Sequence, residues 1–134
     1  MAKLVQAVRR FGPRVVRPRA LRDSELSEWL AGRTGLTRAQ VAAVLYELSA
    51  AISFFNRAGM TLRLAGVGTF QPTIRHSGRL RIRYFMASEL RREMNATGAF
   101  AGEIANRENI GLDFTSLKAL WDTEFPDDPL ESPS

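Results

Sequence analysis

The chemistry open to this chain lies in its arginines. Arg79, Arg81 and Arg83 recur at every second position, and two is the period of a β-strand, so three guanidinium groups leave one strand face about 6–7 Å apart. Such a row fits a row of phosphates in charge and spacing; a solvated face is the alternative reading. Catalytic chemistry has less to stand on. His76 is the only histidine, it lies beside a predicted turn among arginines, and no second titratable group is spaced to orient it as a base. The carboxylates are scattered or terminal, Glu89 fits a helix start, and no acid pair or metal-ligand cluster is visible. Cysteine is absent, which excludes disulfides, thiolate zinc sites and cysteine nucleophiles. The sequence therefore predicts a binding protein without catalysis, metal, cofactor or small-molecule substrate.

Local patterns supply the elements that position the arginines. Asp23 or Ser24 can start a short helix with Leu26, Trp29 and Leu30 on one face, ending at Gly32. Thr37-Arg38-Ala39-Gln40 is a capping box, followed by an apolar stripe of Val41, Val44, Leu45, Leu48, Ile52 and Phe55 that stops at Gly59. That stripe is read as core and dimer face, with Leu45, Leu48, Ile52 and Phe55 as the dimer core. The period then becomes two. Leu62 and Leu64 lead into Leu64-Ala65-Gly66-Val67-Gly68-Thr69-Phe70, a tight bend between strands at Gly66, Gly68 and Phe70. A hairpin follows over Thr73 to Tyr84, turning at Ser77-Gly78, with Leu80, Ile82 and Tyr84 opposite the arginine face. Residues Ser88 to Met94 suggest a short closing helix that adds Arg91 and Arg92.

The net charge is +5 over 134 residues, which favours a polyanionic partner. Lys3, Arg9, Arg10, Arg14, Arg17 and Arg19 occupy the first twenty residues without an acid, while Asp122, Glu124, Asp127, Asp128 and Glu131 close the chain without a base. The ends thus read as oppositely charged arms. Leu4, Val5, Val8, Phe11, Val15 and Val16 make the leader too apolar for a plain tail and suggest a strand or a packed segment. Toward the C-terminus, Phe100, Ile104 and Ile110 suggest a short helix ended by Gly111. A second helix starting at Asp113 or Thr115 aligns Phe114, Leu117, Leu120 and Trp121, and Pro126 to Pro129 breaks regular structure. Trp121 is either core of this extension or an anchor for a partner. No signal peptide or membrane span is expected.

From Leu21 to Asn95 the chain resembles the HU/IHF family of histone-like bacterial DNA-binding proteins. The resemblance rests on Leu36-Thr37-Arg38-Ala39-Gln40 at the second helix start and on Gly66, Gly68, Thr69 and Phe70 in the bend. It implies an α+β fold in which two helices precede a small antiparallel sheet with a β-hairpin arm and a closing helix. It also implies an intertwined homodimer that grips the minor groove of double-stranded DNA, with Arg91 or Arg92 where the family carries basic residues. The arm departs from the pattern. About a dozen residues are missing between Phe70 and Ile82, and Pro72 is too near the strand base to act as the family's proline wedge, so sharp kinking is not expected.

These readings predict three segments: a basic arm at 1–20, an HU-like DNA-binding domain at 21–95, and a C-terminal extension at 96–134 with short helices and an acidic, proline-rich tail. The DNA-binding candidates are Lys3, Arg9, Arg10, Arg14, Arg38, Arg63, Arg75, Arg79, Arg81, Arg83, Arg91 and Arg92. The expected function is sequence-nonspecific binding of double-stranded DNA in the cytoplasmic nucleoid. The rival is an assembly subunit, for instance of a virion, whose charged arms join it to its neighbours.

Overall fold

The structure, a computed structural model, describes residues 2–131; residue 1 of the basic arm and residues 132–134 of the acidic tail lie outside the described residues. The chain forms two compact units, a central one over 19–101 and a terminal one that joins residues up to 18 with those from 102 onward.

The central unit contains helix α2 (Asp23–Thr34), helix α3 (Arg38–Arg57), strands β2 (Leu62–Leu64), β3 (Gly68–Ile74) and β4 (Leu80–Met86), and helix α4 (Ser88–Asn95). Its sheet is antiparallel in the order β2-β3-β4. Helix α2 passes through Gly32, ends two residues later at Thr34 and is capped by Gly35, which is left-handed with its N–H on the Ala31 carbonyl. A mid-helix glycine costs only about 1 kcal/mol, and the packing of α2 on α3 outweighs it. The capping box of α3 forms in full: the Gln40 N–H donates to Thr37 Oγ1 at 3.2 Å and the Thr37 N–H to Gln40 Oε1 at 3.0 Å. By length and apolar composition alone helix α3 reaches the measure of a membrane span, a test that the core helix of a globular domain also passes; apolar residues such as Phe54 extend beyond the single stripe read from the sequence.

The bend between β2 and β3 is built around close backbone approach. Gly66 has φ 77° and Gly68 φ 153°. A Cβ on Gly68 would lie 2.4 Å from the Phe85 carbonyl oxygen and 2.5 Å from Tyr84 Cε2. Only glycine fits there. Tyr84 Oη donates to the Val67 carbonyl at 2.7 Å, and the Tyr84 ring lies 5.1 Å from that of Phe70. At the hairpin tip, the Gly78 N–H reaches the Arg75 carbonyl and the Arg75 N–H the Arg79 carbonyl. The central turn residues are therefore His76 and Ser77, one position earlier than expected, with Gly78 in the left-handed position of a three-residue loop.

The terminal unit is the larger departure. The leader is helix α1 (Ala2–Phe11) followed by strand β1 (Arg14–Val16), and β1 pairs antiparallel with β5 (Glu103–Ala105), with Val16 opposite Glu103. The helix expected around Phe100 to Ile110 is instead β5 and a 3-10 turn at Arg107–Asn109. Asn106 there is left-handed, and its side chain donates to the Arg10 and Gly12 carbonyls at 2.8 and 3.1 Å. Helix α5 (Phe114–Glu124) is capped by Asp113, whose carboxylate accepts the Ser116 N–H at 2.8 Å; that bond holds its pKa below the usual range. Ala7, Leu117, Trp121 and Leu130 form the core, with Leu4, Phe11, Phe114 and Phe125 against it. The acidic segment is thus no loose tail. It folds back so that Trp121 Nε1 donates to the Asp128 carbonyl and Leu130 N–H to Asp122 Oδ1, both at 2.8 Å.

Candidate nucleic-acid interface

The two units divide the charge sharply. The central unit has twelve arginines, no lysine and six carboxylates, whereas the terminal unit has seven basic and eight acidic side chains. The whole surplus of positive charge therefore sits on the central unit. Among the described residues its one ion pair is Arg19–Glu25 at 3.0 Å, which leaves the other arginines there without a carboxylate within reach.

The β3–β4 hairpin gathers the densest group. Arg81 lies opposite Thr73 and Arg83 opposite Gln71, so on that face the guanidinium groups meet neutral polar partners rather than acids. Arg81 Nε donates weakly to Thr73 Oγ1 at 3.4 Å, and the Arg83 guanidinium rests 5.1 Å over the Phe85 ring. Arg75 and Arg79 flank the turn. Strand β4 is exposed along its full length. The alternate residues Leu80, Ile82 and Tyr84 leave the other face, where Leu80 is 73% exposed, so an apolar surface backs the arginine row.

The remaining candidates are dispersed. Arg63 is exposed on β2 opposite Thr69, and Arg38 opens α3 beside a shallow cleft lined by Asp23 and Ser27. Arg91 and Arg92 are exposed on α4. Lys3, Arg9, Arg10 and Arg14 belong to the terminal unit, and two of them are spoken for: Lys3 pairs with Asp128 and Arg10 with Glu124. The hydrogen bonds raise the pKa of Lys3 and Arg10 and lower that of Glu124, and Lys118 lowers that of Asp122 in the same way. Two ion pairs thus tie the oppositely charged ends to each other within one chain, which counts against the assembly-subunit reading in which both ends reach out as connectors. The opposite charge of the two ends was the signal for that pairing.

Of the expected dimer core, Leu45, Leu48 and Ile52 are half-buried and Phe55 is 38% exposed. Val44, Tyr46 and Phe54 on the same helix are more than half exposed, and Val41, 5% exposed, is the central unit's one buried large apolar side chain among the described residues. Sequence reasoning passed over Asn56. It is 6% exposed, its amide donates to the Met60 and Phe70 carbonyls, and its Oδ1 has no partner among the described residues.

The family model described as "HU domain fused to wHTH, Ig, or Glycine-rich motif" matches residues 5–97. The chain belongs to this family. No curated protein matches it. Among solved structures, an HU point mutant from Thermotoga maritima is 18% identical with a TM-score of 0.48, covering 55% of this chain and 99% of its own. An Anabaena HU–DNA cocrystal structure is 16% identical with a TM-score of 0.49, covering 57% of this chain and 99% of its own. The central unit of this HU-family chain is an α+β, HU-like domain. The match also takes in α1 and β1, which pack with the C-terminal residues in the terminal unit.

Proposed function

We propose that this HU-family protein binds double-stranded DNA as a homodimer, largely without regard to sequence, and holds it without sharp kinking. The carrying observation is the hairpin: Arg75, Arg79, Arg81 and Arg83 are exposed together, with no carboxylate within reach among the described residues. Arginine suits this role because its planar fork grips phosphate and enters a narrow minor groove. Arg63, Arg91 and Arg92 widen the footprint. The seven-residue strands end in a His76-Ser77-Gly78 tip that offers no apolar wedge, and kinking by intercalation needs one.

The dimer follows from the α3 face. A unit that buries one large apolar side chain cannot offset the conformational entropy of folding alone, and Leu45, Leu48, Ile52 and Phe55 supply the surface that a second copy would cover. The reading places the protein in the nucleoid and gives it no catalytic role. A mobility-shift titration of random duplex across salt concentrations tests it. Log affinity should fall linearly with log salt, and replacing Arg79, Arg81 and Arg83 by alanine should reduce the slope by about 2.7, at about 0.9 per phosphate contact. A flat salt dependence, or strong preference for one sequence, refutes the proposal.

A further inference from the structure

The terminal unit holds an open cleft of about 660 Å³, lined by Gln6, Arg9, Arg10, Arg14, Asn106 and Phe125 among others. Its three arginines are not equivalent. Arg10 is neutralised by Glu124 and rests 5.5 Å over the Phe125 ring. Arg9 and Arg14 are exposed and have no carboxylate within 4 Å among the described residues. Two unneutralised guanidinium groups therefore face one cleft in a unit whose acids outnumber its bases.

Both are held on rigid backbone. Arg14 is fixed in β1 by its pairing with Ala105, and Arg9 sits in the last turn of α1, whose final carbonyls accept the amides of Asn106 and Asn109, the latter reaching the Phe11 carbonyl at 2.7 Å. Capping those carbonyls also offsets the partial negative charge at the helix end, which would otherwise oppose an anion. Like charges kept on one cleft before any ligand arrives form a prepared site for an anion, because little ordering of the backbone remains to be done on binding.

We propose that this cleft binds phosphodiester groups of a polynucleotide through Arg9 and Arg14, a second anchoring point separate from the hairpin. The volume exceeds what a lone phosphate fills and lies in the range of ligand sites, about 300–1,000 Å³. The cleft is open and both arginines remain solvated, so one free anion gains little there. A polyanion already held by the central unit is delivered at high effective concentration and gains more. The polynucleotide identity thus rests on the DNA-binding function proposed above, whereas anion binding by the cleft does not.

The test uses the full chain. The Nε–Hε NMR signals of Arg9 and Arg14 are followed during titration with random-sequence duplex and, separately, with inorganic phosphate at equal phosphate concentration. Both signals should move with duplex and stay in place with inorganic phosphate. The R9A/R14A variant should lower the salt slope for duplex by about 1.8, two contacts at about 0.9 each, with the indole Nε1–H NMR signal of Trp121 showing that the unit remains folded. Still signals, or an unchanged slope while the hairpin variant loses its contacts, overturn the proposal. An equal response to inorganic phosphate overturns the polynucleotide assignment. Failure of the wild type to bind duplex while Arg9 and Arg14 answer to inorganic phosphate does so too, and separates failure of the proposed function from failure of the site.

Discussion

Gly68→Ala, set beside Gly66→Ala, tests whether the bend is held by steric contact or by backbone conformation alone. Both glycines have positive φ, 153° and 77°. Around Gly66 there is nothing within 4 Å of an added Cβ, so alanine there meets only the left-handed penalty, about 1–2 kcal/mol. At Gly68 the Cβ would sit 2.4 Å from a backbone oxygen, where ordinary contact begins at 3.4 Å, so β3 and β4 must part by the difference of about 1 Å. Parting them also weakens the two hydrogen bonds that converge on the Val67 carbonyl, from Tyr84 Oη at 2.7 Å and from the Ala87 N–H at 3.1 Å. Overpacking at about 1–3 kcal/mol, backbone strain of similar size and the loosened bonds together cost about 3–5 kcal/mol. At about 4–8 °C per kcal/mol for a unit of this size, Gly66→Ala should lower Tm by about 4–16 °C and Gly68→Ala, at the same conversion, by about 12–40 °C. Circular dichroism melts at one fixed protein concentration measure both, since dimer stability depends on concentration. A Gly68→Ala protein no less stable than Gly66→Ala would refute the steric argument.

Other outcomes follow from the remaining contacts. Phe55→Asp places an unpaired charge on the face assigned to the dimer, should cost several kcal/mol, and should abolish the folded dimer in sedimentation; a folded wild-type monomer at micromolar concentration would contradict the assignment. Leu130→Ala empties a core position that is 2% exposed, should cost about 2–5 kcal/mol, and should red-shift Trp121 fluorescence; an unchanged spectrum would show that the acidic segment does not seal the core. Asp122 and Glu124 have depressed pKa values in the fold, so their stabilisation is present above the ordinary carboxylate range of about 4 and is lost as pH falls through the lower folded values. Lys3 has a raised pKa, so its contribution is present below the ordinary lysine value of about 10.4 and is lost as pH rises past the folded one. Trp121 emission that stays flat from pH 5 to pH 2 would argue against these pairs as supports of the fold.

What the sequence showed and what it hid divide along range. Capping at Thr37 and Gln40, the glycine bend and the period of two in the arginine row are decided within a few residues of chain, so their physics is written locally. Helix α1, the β1–β5 pair and the return of Leu130 to the core depend on partners about a hundred residues away or on a chain reversal through Pro126 and Pro129. No window holds both halves of such a contact. Gly32 misled because a local penalty was outweighed by packing on α3. The candidate site divides the same way: the hairpin arginines could be grouped by spacing, but the loss of Lys3 and Arg10 to acidic partners needed the fold.

Because β1 meets its partner only through β5, the central unit is an insertion within the terminal one, and vectorial synthesis imposes an order on them. Helix α1 and β1 are synthesised before the central unit and must wait for more than a hundred further residues before Trp121 and Leu130 can cover Ala7 and its neighbours. At about 5–20 residues per second that interval is on the order of ten seconds, long enough for the whole central unit to emerge and begin to fold. Throughout it, Leu4 and Phe11 stand uncovered on a nascent chain, so this early apolar segment is exposed to wrong contacts until the C-terminal residues arrive.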